Sequence, residues 1–169
     1  MLSFALVACA PTAPARTTTV ESVDVERYLG TWYEVASVKL FFSIGLVGST
    51  ANYSLNADGT IKVVNTGNYF SFDGPLSRIV GSAIPVDASN SRLNVAFFAP
   101  NTGQAPGNYW IVDLDPNYQW AIVSDPTGET CFFLSRTRSI TPELRADLLV
   151  RAAAKGVNIS NVTETLQPA

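Results

Sequence analysis

Two thiols and a scatter of carboxylates are all that this sequence offers for covalent or acid–base chemistry. It has 169 residues and no histidine, so the commonest general base, the Ser–His and Cys–His nucleophile pairs and most zinc sites are missing. Cys9 and Cys131 are its two cysteines, too few for a metal cluster, and no metal or cofactor is expected. Glu34 and Asp113 stand isolated, with no base partner or nucleophile near them in sequence. Cys131 would count as a nucleophile only if it faced a cavity. It sits between Thr130 and Phe132 in TCFFL, so a strand that turns Phe132 inward turns the thiol to the opposite face. An enzyme is therefore not expected. A net charge of -3 provides no basic face for phosphates, which excludes nucleic acid as a partner.

Cys9 has a different setting. It ends an apolar run that is too short to span a bilayer and closes on small residues, as a secretory segment does. Leu6-Val7-Ala8-Cys9 resembles a bacterial lipobox, in which the cysteine becomes the acylated first residue of the mature chain. No Lys or Arg precedes the run, a departure from that pattern. With Cys9 as a lipid anchor, Cys131 is a lone thiol and the Pro/Thr-rich residues that follow Cys9 are a flexible spacer at a membrane. Residues 1–22 are thus a signal remnant and linker, and residues 23–169 form one domain.

The elements of that domain are short strands with turn signals about every ten residues. STANYSL sets Ala51, Tyr53 and Leu55 on one face; NADG turns into TIKVVNTGNY, where Ile61, Val63, Asn65, Gly67 and Tyr69 share a side. DGP precedes SRIVGSAI, ASNS precedes RLNVAFFA, and DPNY and PTGE bound QWAIVSD and TCFFLSR. YWIVDLD is apolar on both faces, so something must cover its outside. About eight strands joined by short hairpins predict an all-β fold, an eight-stranded up-and-down antiparallel barrel, the count at which such a tube closes around side chains or one small ligand. ITPELRADLLVRAAAKG predicts one helix near the carboxyl terminus, with Thr141 as N-cap, Pro142 in the first turn and Gly156 past the end. Its stripe Leu144, Leu148, Ala152 must lie on the outside of the barrel. NVTETLQ offers one further short strand.

Three separated motifs resemble the lipocalin family. LGTWYE, with Gly30 and Trp32, matches the Gly-x-Trp of the first strand. Asp115 and Tyr118 in LDPNYQW resemble the Thr-Asp-Tyr turn between strands six and seven, with Leu114 in place of the Thr and two residues between Asp and Tyr. Arg136 in LSRT matches the Arg that ends the eighth strand. The bacterial branch, lipoproteins of the outer membrane, is the nearest in pattern. The resemblance implies that Trp32 and Arg136 close one end of the barrel as a cation–π pair, that Gly30 lets the chain cross beneath it, and that a ligand enters at the other end. It also implies a location in the cell envelope.

Alternation and resemblance agree on an inward set: Ala51, Tyr53, Ile61, Val63, Tyr69, Ile79, Val95, Phe97, Tyr109, Ile111 and Phe132. Small residues among and beside them (Ala51, Gly67, Gly81, Ala83, Ala121) are read as leaving space for a ligand. The lining is almost uncharged, so the expected partner is a fatty acid or lysophospholipid with its polar head at the mouth. VKLFFSIGLVGS, between strands one and two, carries Phe41, Phe42, Ile44 and Leu46 with Lys39 as its one charge. The resemblance lays this loop across the mouth. Phe41, Phe42 and Ile44 are counted with the ligand site, and three covers stay open for them: the ligand, a second subunit in a homodimer, or a membrane surface. Two other functions are weighed: an envelope interaction lipoprotein whose barrel is filled, and an isomerase of the kind some lipocalins are, acting through Cys131.

Overall fold

A computed structural model of the chain describes residues 17–169; Cys9 lies outside them. A one-turn helix α1 (Val25–Tyr28) leads into β1 (Gly30–Val38), β2 (Leu46–Leu55), β3 (Ile61–Tyr69) and β4 (Leu76–Pro85). The chain continues through β5 (Arg92–Ala96), β6 (Tyr109–Leu114), β7 (Trp120–Ser124) and β8 (Cys131–Ser135) to helix α2 (Pro142–Ala154) and β9 (Val162–Glu164). All neighbouring strands are antiparallel in sequence order, and β1 pairs with both β2 and β8, which closes the barrel. Closure leaves no long edge open to another chain. Topology then fixes two ends: the β1–β2, β3–β4, β5–β6 and β7–β8 connections share one, and α1 lies across the other.

The base explains why a tryptophan opens the first strand. Trp32 is fully buried and its Nε1 donates to the Tyr28 carbonyl at 2.8 Å. The Arg136 guanidinium lies over the indole, 3.8 Å from the ring centroid. It donates to the carbonyls of Thr31, Arg27, Tyr28 and Tyr118, so one planar fork ties β1, α1 and the β6–β7 turn together. Gly30 has φ +93°, and a Cβ there would stand 3.4 Å from Arg136 Nη1; glycine supplies both the backbone angle and the clearance. In the β6–β7 turn Asp115 accepts the amides of Asn117 and Gln119. The Tyr118 hydroxyl accepts the Asp24 amide, with Arg27 stacked 4.1 Å from its ring.

The outer face carries a second core. Thr141 caps α2 by accepting the Leu144 amide, Pro142 opens it, and Gly156 ends it at φ +85°. Leu148 and Ala152 are buried against Cys131, Phe133, Ile122 and Val112. The two apolar faces of β6 are thereby explained, since Ile111 points into the barrel while Trp110 and Val112 lie under the helix. β9 pairs with the last residues of β1, Ala36–Val38, on the side that β2 leaves free after Tyr33. The Gly48 amide then bonds the Leu166 carbonyl, so the carboxyl-terminal segment bridges β1 and β2.

Two expectations need adjusting. The loop between β1 and β2 is shorter than its apolar run, because Leu46 to Ser49 already belong to β2. Leu55, expected on the inward face, is 48% exposed because it stands where β2 leaves the barrel. Replacement of Trp32 by Ala is expected to cost about 3–5 kcal/mol of unfolding free energy, measured by urea titration. Val150→Ala, on the exposed side of α2, is expected to change it by less than about 0.5 kcal/mol.

Candidate functional site

Burial inside the barrel is graded from base to mouth. On β2 Tyr53 is buried and Ala51, two residues nearer the mouth, is partly exposed; β3 repeats this with Ile61 and Val63 below Asn65 and Tyr69. Ala83 lies below Ile79 on β4, Leu93 below Val95 on β5, Ile111 below Tyr109 on β6 and Leu134 below Phe132 on β8, each pair buried then partly exposed. Six strands agree, while Ser37, Gly67 and Val123, on the same face near the mouth, stay buried; the lower half is a packed core and solvent reaches part of the inward face of the upper half. The side chains that it meets there are mostly apolar.

The expected hollow is correspondingly shallow. Gly81 does not leave space: a Cβ on it would stand 2.6 Å from Phe97 Cδ1, so the Phe97 ring already occupies that position. Ala83 and Ala121 are likewise packed into the interior cluster. In the lower barrel there remains a void of about 20 Å³, lined by Tyr28, Tyr53, Ile61, Leu93, Tyr109 and Ile111 among others, room for about one water.

Three phenols meet at this void. The Tyr109 hydroxyl lies 2.8 Å from that of Tyr28 and 2.9 Å from that of Tyr53, and the Tyr28 ring packs on Trp32 at 5.0 Å. Burial raises the pKa of all three, that of Tyr53 to about 12, so they are neutral donors at any physiological pH. Three hydroxyl protons shared over two contacts leave one O–H for a further acceptor. Higher up, on the same face as Val63, the Asn65 Oδ1 atom is buried and has no hydrogen-bond partner. An otherwise greasy interior thus offers one donor near its floor and one acceptor above it.

Tyr53, Ile61, Val63 and Ile111 therefore sit in the buried lower half. Ala51, Ile79, Val95, Phe97, Tyr109, Phe132 and Tyr69 line the upper half, where the Tyr69 hydroxyl donates to the Phe42 carbonyl. Phe41, Phe42 and Ile44 do not line the interior. They are exposed on the β1–β2 loop, Phe41 to 88%, and Ser43 closes that loop on itself through Leu40. Tyr28 is an interior residue that strand alternation does not reveal, since it belongs to α1.

The groups singled out for chemistry are spent elsewhere. Cys131 is buried under α2 on the outer face, its thiol pushed up to about 12 by burial. Glu34 accepts from Lys39 at 2.6 Å, from Ser37 and from Thr165, fastening the carboxyl-terminal segment to β1. Asp113 faces Arg151 of α2 at 3.4 Å.

With this geometry in view, residues 23–167 match the family model described as a lipocalin-like domain. The chain is a lipocalin. It is 37% identical to the outer membrane lipoprotein Blc of Escherichia coli over 98% of this chain and 92% of that one. It is 36% identical to the temperature-induced lipocalin-1 of Arabidopsis thaliana over 88% and 81%. Among solved structures, the cockroach allergen Per a 4 superposes with a TM-score of 0.67 at 18% identity, covering 93% of this lipocalin and 97% of the allergen, which is a likeness of fold. Lipocalins are in general carriers of small hydrophobic ligands. The envelope location expected from the amino terminus agrees with the names of the bacterial relatives.

Burial has two measurable consequences. A disulfide reagent at pH 8 is expected to leave Cys131 unreacted in the folded protein and to label it fully on unfolding. The phenols make stability fall at high pH. Tyr53 loses its proton near 10 when unfolded and near 12 when folded, so its contribution is complete below pH 10 and disappears as pH rises to 12. Melting temperature is expected to drop across that window, and Tyr53→Phe to make the drop shallower.

Proposed function

We propose that this lipocalin binds and carries a fatty acid or lysophospholipid in the cell envelope and so contributes to maintaining membrane lipid. The observation that carries the reading is the burial gradient: a closed barrel, packed below, whose upper interior is apolar and reached by solvent. An acyl tail occupies that upper half against Ala51, Ile79, Val95, Phe97 and Phe132, displacing water from apolar surface at about 25 cal/mol per Å². Lys39 is already neutralised by Glu34 at 2.6 Å and is not free to meet a ligand carboxylate, which favours a head group left at the mouth beside Tyr69. Acylation of Cys9 would hold the carrier at the membrane it serves, as the names of its bacterial relatives suggest.

The small size of the basal void favours a second reading, an envelope lipoprotein whose barrel stays filled and which acts through its surface. Titration with palmitate, read by isothermal calorimetry, separates the two. Saturable binding supports the carrier, and a flat response supports the filled barrel. Phe97→Arg is expected to abolish binding, because an unpaired charge facing apolar side chains is expensive; unchanged affinity would mean that Phe97 does not line the ligand. Metabolic labelling with palmitate, present in the natural chain and lost in Cys9→Ser, is the outcome expected for the anchor.

A further inference from the structure

The mouth of the barrel carries large apolar side chains that nothing in the fold covers. Phe41 and Ile44 on the β1–β2 loop, Phe70 and Leu76 flanking the β3–β4 turn, and Phe98 in the β5–β6 loop are 63–92% exposed. These three loops follow one another around the same end of the barrel, and the first two are joined by the Phe70 amide bonded to the Gly45 carbonyl. Their charge is close to nil. Lys39 is spent on Glu34, Asp73 is the one charge in the β3–β4 turn, and residues 97–108 contain none. Exposure on this scale, gathered at one end of the molecule, is the mark of a surface that meets an apolar partner.

We infer that this rim inserts into the surface of a lipid bilayer, so that the barrel opens directly onto the membrane. Two observations select the bilayer over a second copy of the chain. The first is where the chain arrives. Thr17 is fastened to the β7–β8 turn, its amide to the Pro126 carbonyl and its hydroxyl to the Asp125 carbonyl, at the mouth end of the barrel. Seven residues lie between it and Cys9, eight steps with a reach of at most about 29 Å, so an anchor at Cys9 draws the mouth toward the membrane and not the base. The second is shape. The apolar residues are prongs on three separate loops around an opening, a form that suits the soft interfacial region of a bilayer, whereas a flat interface between two copies would need a continuous packed face. Lacking a basic patch, the contact is apolar and insensitive to salt. The inference rests on the carrier reading for its purpose: a lipid passes between bilayer and barrel without crossing water.

The test uses the full chain with Cys9→Ser, so that no acyl anchor forces the contact, and vesicles of phosphatidylcholine. An environment-sensitive nitrobenzoxadiazole label is placed at Phe70→Cys or, at the closed end, at Leu55→Cys; Cys131 is buried and stays unlabelled. Vesicles are expected to brighten and blue-shift the label at 70 and leave the label at 55 unchanged, at low and high salt alike. Phe41→Ser and Phe98→Ser, both at exposed positions, are each expected to lower vesicle partitioning about tenfold. No response at 70, an equal response at 55, or a response at 70 that follows protein concentration without vesicles would overturn the inference, the last by making the rim a contact between copies. Binding of monomeric lysophospholipid is measured in parallel without vesicles. Ligand binding without vesicle contact rejects the docking surface alone, and vesicle contact without ligand binding rejects the carrier alone.

Discussion

The guanidinium of Arg136 lying on the indole of Trp32 is the contact on which the rest of the barrel depends. A tube of antiparallel strands has two open ends, and the hydrogen-bond ladder does nothing to seal either. Here one side chain from the end of β8 covers the largest side chain of β1 and takes four carbonyls from three segments. A lysine could supply the charge but not the planar fork. Because the base is closed in this way, the interior is asymmetric, packed below and accessible above, and that asymmetry turns a β-barrel into a container with one entrance.

Polar groups are placed against the same asymmetry. Tyr28, Tyr53 and Tyr109 bond one another in the packed lower half and leave one O–H over, and their neutrality is enforced by burial. A charged group in that position would be left unpaired, and an apolar one would provide no direction. The charged pairs Glu34–Lys39 and Asp113–Arg151 neutralise themselves and fasten elements, the first tying β1 to the carboxyl-terminal segment and the second β6 to α2. Charge is spent on fastening, and neutral hydroxyls and an amide are left to offer hydrogen bonds in the interior.

Much of this was legible in the residues because it is local. Strand alternation placed Phe132 inward and Cys131 outward without any knowledge of partners, and the cap and stop residues Thr141, Pro142 and Gly156 bounded α2. Trp32 and Arg136 were legible as motif ends, even though they stand 104 positions apart. What was not legible is non-local. Gly81 reads as space, and only the neighbouring strand reveals that Phe97 fills it. Tyr28 reads as a residue before a strand, and only the crossing of α1 beneath the barrel brings its hydroxyl to that of Tyr109. The β1–β2 loop is apolar enough to be taken for a cover, yet its phenylalanines are exposed.

The carboxyl-terminal strand has a mechanical meaning. β2 and β3 are zipped by eight residue pairs, whereas the mouth-side seam between β1 and β2 is spanned by a strap of three pairs from β9 together with the Thr165 and Leu166 backbone bonds. That strap belongs to no hairpin, so it can shift with every hairpin left intact, and the last few residues of the polypeptide set how the mouth is closed between β1 and β2.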